Sequence, residues 1–491
     1  MCHWCLCEPG IVPNKVIHIV IHMLLPMNKN RSRNKPTVAE SDSRSGDWRL
    51  KGPRILVEPP GPNSKAAMKR KQKFVTAGLG VSHPIAIDYA EGPFLRDVDG
   101  NVYLDFTVGL GALNCGHRPM EVLNAWRHQI DRLDHICAMV SMYEPYLQLA
   151  EELSRICPGN LRKSLIMNSG SEAIENSVKI ARAYNKKRWL MSYITGYHGR
   201  TYLGISLMGR GRLYREGFGR VLPNVKLVDF AYCYRCHLKL EYPSCGLACT
   251  DLLEKTVESP ELKDDVCCLI MEPVEGAGGF INPPPGYWER VKQICDDNGI
   301  VLIDDEIQTG FGRTGKLFAI EHWKVEPDLV VTGKSLSMGL PIGAVTGKEE
   351  IMDAPAAASL GGTYGGNPIC CAGALEAIKL AKRALPNVKM IHRVEKKRLN
   401  EWKERYESVG DARGLGAMMG IELVKTKNGK VPAPQLARNI QLNCFRKGLY
   451  ISSGGLFGNV SRLHPPLTIT RSLLETGLDI MESALEEETR P

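Results

Sequence analysis

Short apolar runs recur through the middle of the chain: SLIMN at 164–168, LMSYI at 190–194, CCLIM at 267–271, IVLID at 300–304 and DLVVT at 328–332. Stretches with helical spacing separate them. In GYWERVKQICDDNG, Trp288, Val291 and Cys295 share one face and Gly299 supplies the C-terminal stop. Apolar runs without polar alternation belong to strands buried on both faces, so their alternation with helices predicts an α/β fold built on a mostly parallel sheet. Ligands of such a sheet gather beyond the carboxyl ends of its strands. Upstream, from Pro84, GPFLRDVDGNVYLDF holds two alternating runs around Asp99-Gly100, a type I′ hairpin signal. After about residue 376 the pattern turns to helices with charged faces, a strand-like GLYISSGG and a final amphipathic helix. The division this predicts is a polar tail over 1–50, an N-terminal segment over 51–110 packing with the small domain, a large domain over 111–375, and a smaller α+β C-terminal domain over 376–491.

Composition narrows the class. The 491 residues are 43% hydrophobic and 24% charged, the balance of a soluble globular protein too long for one average domain. Net charge is +9, much of it from NKNRSRNK at 28–35, and no basic patch is interleaved with aromatics, so nucleic-acid binding is not expected. The run VIHIVIHMLL at 16–25 is too short to span a bilayer and carries two histidines. It lacks the basic flank and small-residue cleavage site of a signal peptide. Met27 is the expected natural start, and deletion of 1–26 is expected to leave folding and activity unchanged. Of sixteen cysteines, most stand singly in apolar stretches, which suits a reducing cytoplasm. YCYRCHLKLEYPSCGLAC departs from that, placing Cys233, Cys236, Cys245 and Cys249 as C-x2-C-x8-C-x3-C. A structural zinc, disulfides and free thiols are all compatible with the spacing.

Three elements carry candidate chemistry. In DLVVTGKSLSMGLPIGAV, Lys334 follows a buried run by one glycine, at the rim where ligands bind. A desolvated lysine there has a lowered pKa and can attack a carbonyl to form a Schiff base. One strand earlier, IVLIDDEIQTGFGRTG ends in Asp304-Asp305-Glu306, an expensive place for three carboxylates unless they meet cations. Asp305 could hold a protonated pyridine nitrogen. SLIMNSGSEAIENSVKIAR reads as strand, turn and helix, and the free N–H groups of Gly170 and Ser171 with the helix dipole make a phosphate site. Each alone has a bland reading, a rim salt bridge or a capped helix. Together they describe a site for pyridoxal 5′-phosphate.

These residues resemble the class III pyridoxal-phosphate aminotransferases of fold type I, nearest their 4-aminobutyrate branch, over roughly residues 84–485. The motifs are DEIQTGFGRTG, 29 residues from Asp305 to Lys334, and LGGTYGGNP. The resemblance implies a seven-stranded-type sheet in the large domain. It also implies that Lys334 forms the internal aldimine and serves as base, Asp305 pairs with the ring nitrogen and Gln308 with the phenolic oxygen. Tyr197 of GYHGRT would stack on the ring with His198 beside it, and Ser169, Gly170 and Ser171 would hold the phosphate. Thr363 would reach the phosphate from a partner subunit, which implies a homodimer or a dimer of dimers. Arg200 would bind the distal carboxylate of a 4-aminobutyrate-like donor and Arg462 an α-carboxylate, with 2-oxoglutarate as an acceptor. One position departs: ω-amino members carry E-P-x-x-x-E-G-G, and MEPVEGAGG has Ala277 where the second glutamate stands, with Glu275 two residues earlier. Alternatives on the same fold are an amino-acid racemase or epimerase, and an acetylornithine/ornithine-type or pyruvate-dependent aminotransferase.

Overall fold

Each of the five apolar runs in the middle of the chain becomes a strand of one seven-stranded sheet in the computed structural model, which describes residues 52–209, 214–219 and 221–490. Its order is Lys163–Met167, Gly343–Gly347, Leu329–Thr332, Val301–Asp305, Val266–Met271, Trp189–Tyr193 and Val225–Val228. Gly343–Gly347 alone runs against its neighbours; the other pairings are parallel. Neither it nor Val225–Val228 was legible as a strand, because GAVTG reads as the tail of a glycine-rich turn. The expected tail over 1–50, the basic stretch and the apolar run at 16–25 lie outside the described residues.

The sheet is buried on both faces, as unalternating apolar runs require. Cys268, Ile270, Ile303 and Val331 pack with Ala173, Ile174 and Val178 of the Gly170–Asn185 helix. Leu269, Met271, Leu302 and Val330 face the other way, into the main core with Trp288, Val291 and Cys295 of the Tyr287–Asp297 helix. At about 25 cal/mol per Å² of apolar surface removed from water, these two layers are the main term holding the strand ends in place.

One close approach fixes the first strand end. Gly343 is paired with Met167, and a Cβ there would lie 2.3 Å from the Ser169 carbonyl oxygen, which is backbone and cannot yield. Gly343→Ala is expected to destabilise by about 1–3 kcal/mol through overpacking. A lowered melting midpoint would show it.

Two further sheets flank this one. Ile87–Glu91, Phe94–Asp97 and Val102–Asp105 form an antiparallel set extended in parallel by Leu449–Tyr450. The second sheet, Val409–Leu415, Met418–Leu423, Val460–Leu463 and Ser452–Gly454, is antiparallel throughout. GLYISSGG is thus divided between the two. A 38-residue helix, Pro368–Arg405, capped by the Asn367 side chain, runs through position 376.

The Phe94–Asp105 hairpin corrects the type I′ expectation. Gly100 has φ +89°, but Val98 and Asp99 are not in the left-handed region. The Asp97 carboxylate accepts from the N–H groups of Asp99 and Asn101 at 2.9 Å each, and Gly100 N–H donates to Asp97 O at 3.0 Å. This is a type I turn followed by a glycine bulge, a three-residue loop rather than a two-residue one. Among the described residues no helix is long and apolar enough to cross a membrane.

Candidate active site

At the carboxyl ends of these strands lies a pocket of about 220 Å³ lined by Ser169, Gly170, Ser171, Tyr197, His198, Gly199, Glu272, Asp305, Ile307, Gln308 and Lys334. Of the residues singled out from sequence for cofactor binding, all but Thr363 meet here. Thr363 is exposed and is not among the lining residues.

Lys334 opens a short 3-10 turn one residue past the Leu329–Thr332 strand, with φ +42°, a conformation that non-glycine residues rarely hold. Its side chain is half-buried. Burial lowers its pKa, Glu272 and Asp305 raise it in part, and Arg462 lowers it further. Among the described residues Lys334 is the one lysine in the lining.

Asp305 ends its strand 2% exposed. Its Oδ1 accepts from Ile307 N–H at 3.0 Å, and its Oδ2 lies 2.7 Å from Nδ1 of His198, whose Nε2 lies 3.0 Å from Ser192 Oγ. Burial pushes the His198 pKa down, but the Asp305 hydrogen bond and charge, with Glu272, outweigh it and hold the imidazole above its ordinary 6.5. A buried line Ser192–His198–Asp305 results, ending at the pocket.

The flanking carboxylates behave differently from expectation. Asp304 and Glu306 are 0% exposed, and among the described residues neither meets a cation in an ion pair. Burial pushes Glu306 to about 8 and Asp304 well above the carboxylate range. Glu306 accepts from Ile320 N–H at 2.9 Å and from the Thr309 hydroxyl. Neutralisation, not pairing, meets the cost of burial for these two.

The Gly170–Asn185 helix begins at the pocket. Ser169 caps it by accepting from Glu172 N–H at 3.2 Å, leaving the first-turn N–H groups of Gly170 and Ser171 unspent within the helix. Gly199 sits at φ +112°, and a Cβ on it would come 2.3 Å from Ser171 Oγ. Gln308 donates to Leu110 O at 3.0 Å, and a Cβ on Gly276 would come 1.7 Å from Gln308 Oε1, so both glycines clear space around the pocket.

Sequence reasoning missed Glu272. It is 5% exposed, and its two oxygens accept from Tyr197 N–H at 2.8 Å and Gly276 N–H at 3.0 Å, tying together two walls of the site. Burial raises its pKa, with His198 opposing. The available signal was a carboxylate standing directly beyond the buried run VCCLIM, the same position Asp305 takes in its own strand.

Arg200 is exposed, its Nε donating 3.1 Å to Tyr197 OH and its guanidinium 5.1 Å from the Tyr214 ring centroid. Arg462, on the Val460–Leu463 strand, donates to Gly276 O at 3.2 Å and Ser453 O at 3.1 Å and lies 5.6 Å from the Phe280 ring centroid. Glu275 is fully buried, and a Cβ on Gly278 would meet its Oε2 at 2.7 Å.

The residues fit pyridoxal phosphate on their own chemistry. The pocket offers one desolvated lysine, a buried carboxylate backed by a histidine, and open N–H groups at a helix start, for a carbonyl, a ring nitrogen and a phosphate respectively.

Comparison with known proteins agrees. The class-III aminotransferase family model matches residues 77–485. The chain is 38% identical over 439 residues to a 4-aminobutyrate aminotransferase of Mycobacterium leprae, covering 88% of this chain and 97% of that one. It is 38% identical over 427 residues to a 5-aminovalerate aminotransferase of Pseudomonas aeruginosa, covering 86% and 99%. The PLP-bound crystal structure of an amine transaminase from an uncultivated Pseudomonas species superposes with a TM-score of 0.77 at 30% identity, covering 82% of this chain and 95% of that one. These likenesses do not favour a racemase. The chain belongs to the class-III aminotransferases, fold type I enzymes that depend on pyridoxal 5′-phosphate.

Proposed function

We propose that this enzyme transfers the amino group of an ω-amino acid of the 4-aminobutyrate kind to an oxo acid such as 2-oxoglutarate, as a homodimer in the cytoplasm. The observation that carries the substrate reading is the attachment of two arginines to the two segments that Glu272 bridges: Arg200 through Tyr197, and Arg462 through the Gly276 carbonyl. Guanidinium groups suit carboxylates at either end of an amino-dicarboxylate or ω-amino acid pair.

In this reading Gly170 and Ser171, with Ser169, take the cofactor's phosphate. Asp305, backed by His198, would hold its ring nitrogen, Gln308 its phenolic oxygen, and Tyr197 would pack on its ring. When bound, the cofactor supplies an electron sink for the substrate carbon that loses a proton. Lys334 moves that proton. Its lowered pKa enlarges the neutral, basic fraction of its amine near neutral pH, while Glu272 and Asp305 limit the fall.

The homodimer is supported by an exposed apolar patch beside Thr363. Met139, Val140, Met142 and Tyr364 are 60%, 75%, 57% and 63% exposed. The two segments touch, with the His135 and Tyr364 rings 4.7 Å apart. Such a patch rimming an exposed threonine suits a second copy that donates Thr363 to its neighbour's pocket. Light scattering is expected to give twice the 54.4 kDa chain mass, or a multiple of it. The cytoplasmic assignment is supported by free thiols at every described cysteine.

A donor series tests the substrate. The expected order of kcat/KM with 2-oxoglutarate places 4-aminobutyrate and 5-aminovalerate above L-alanine and L-ornithine, and 2-oxoglutarate above pyruvate as acceptor. The reverse order would overturn the reading. Ala277→Glu probes the departure in the motif: a second glutamate there would neutralise Arg462 when a donor lacks an α-carboxylate. If the wild type is built for such donors, the variant gains less than about a hundredfold in kcat/KM for 4-aminobutyrate, roughly 2.7 kcal/mol. A larger gain would show that the natural donor carries an α-carboxylate.

A further inference from the structure

The cysteine motif takes no part in the pocket around Lys334, yet the fold gathers it. Cys233, Cys236, Cys245 and Cys249 line one separate cavity of about 20 Å³, with Phe230 and Tyr242 among its walls. All four are free thiols. Among the described residues no group of three or more His, Cys, Asp or Glu side chains is arranged to hold a metal ion.

Two of the four stand in a particular relation. Cys233 opens the 3-10 turn Cys233–Arg235, and Cys236 caps it. In such a turn residues i and i+3 eclipse each other, and three steps of about 2.0 Å put their Cα atoms about 6 Å apart. That separation falls in the window of about 4.4–6.8 Å that a disulfide spans. Cys233 is exposed, and the other three are half-buried.

The same turn is wired toward the substrate side. The Tyr232 hydroxyl and Arg235 Nε both donate to the carboxylate of Glu422, which is 1% exposed. Arg413 Nη1 lies 2.8 Å from Glu422 Oε2, and Arg413 Nε donates 2.9 Å to Gly279 O. Gly279 ends the segment whose Gly276 carbonyl accepts from Arg462. The turn is therefore connected to the wall beside Arg462 through one buried carboxylate.

We propose that Cys233 and Cys236 form a thiol–disulfide exchange site for small-molecule disulfides, and that closing their disulfide changes how the enzyme handles its amino-acid substrate. The Cys233 thiolate attacks one sulfur of RSSR; that S–S bond breaks, and the departing RS⁻ takes a proton from water. The Cys236 thiolate then attacks the Cys233 sulfur and expels the second RS⁻, which is protonated in turn. The protein pair loses two electrons and two protons, and RSSR is reduced to two RSH. Burial, and then Cys236 and Cys245, hold the Cys233 thiol above its ordinary pKa, which slows the first attack. A second thiol one turn away captures the mixed disulfide once it forms.

The coupling half rests on Arg462 acting at the substrate, as proposed above; the exchange half does not. Holoenzyme is incubated with oxidised glutathione, alkylated and peptide-mapped, and kcat/KM is followed with whichever donor ranks first in the donor series. The expected result is a Cys233–Cys236 disulfide, a change in kcat/KM of roughly threefold or more, and reversal by dithiothreitol. Cys233→Ser and Cys236→Ser are expected to show neither effect. If mapping finds the pair reduced, or bridged instead to Cys245 or Cys249, the exchange site is overturned. If the disulfide forms and kcat/KM stays constant, the coupling is overturned. In Glu422→Gln the disulfide is expected to form as in the wild type while the kcat/KM response shrinks; an undiminished response would remove Glu422 from the route.

Discussion

Lys334→Ala is expected to lower kcat/KM on the order of 10⁴-fold, the upper range for removal of a positioned base. Among the described residues no other lysine lines the pocket, so none of them stands ready to take over. Borohydride reduction of wild-type holoenzyme followed by proteolysis is expected to leave the pyridoxyl label on the peptide carrying Lys334, and the variant should carry none. A label on a different lysine would overturn the assignment. The backbone at this position holds φ +42° with either side chain, so the substitution adds no new strain, and a melting midpoint near that of wild-type apoprotein is the control.

The second large effect is expected from Asp305→Asn. The asparagine keeps an oxygen for the Ile307 N–H but presents no negative charge to His198 or to a ring nitrogen. Losing a preorganised buried charge at the reacting centre is expected to lower kcat on the order of a hundredfold or more. The variant also makes a pH-dependent stability prediction. In the wild type the folded pKa of His198 is raised above 6.5, by Asp305 acting against burial. That contribution to stability is fully present below the unfolded value of 6.5 and is lost as pH rises through the folded value. In Asp305→Asn burial acts with only Glu272 left to oppose it, so the folded pKa falls. Melting midpoints of the two apoproteins are therefore expected to differ most below pH 6.5 and to converge as pH rises above the wild-type His198 value. A difference that grows with pH would show that Asp305 does not hold the His198 proton.

Both variants act on residues that were visible in the sequence, and the reason is local. Lys334, Asp305 and the Ser169–Ser171 turn each follow a run whose lack of polar alternation marks a doubly buried strand, and such a strand fixes where its own carboxyl end points. The order of residues along one strand and the turn after it is enough to predict that chemistry gathers there. Periodicity likewise placed Trp288, Val291 and Cys295 on one buried helix face.

What local pattern could not supply is which distant groups meet. Leu449–Tyr450 completes a sheet with Val102–Asp105, and Gly343–Gly347 enters the central sheet antiparallel, because backbone donors and acceptors pair with whatever edge the tertiary packing brings alongside. The hairpin sequence Asp99-Gly100 suggested one turn, and the Asp97 carboxylate, reaching two N–H groups, selected another. Charge states were still less legible. Asp304, Asp305 and Glu306 are adjacent and chemically alike, yet Asp305 meets His198 at 2.7 Å while burial raises the pKa of the other two. That Glu272 bridges two walls of the pocket and that the four thiols share one cavity was hidden for the same reason. Runs and turns along the chain were enough for most central strands, for the helix faces and for the residue types at the strand ends. Their partners and protonation follow from packing in three dimensions, because desolvation and pairing depend on groups far apart in the chain.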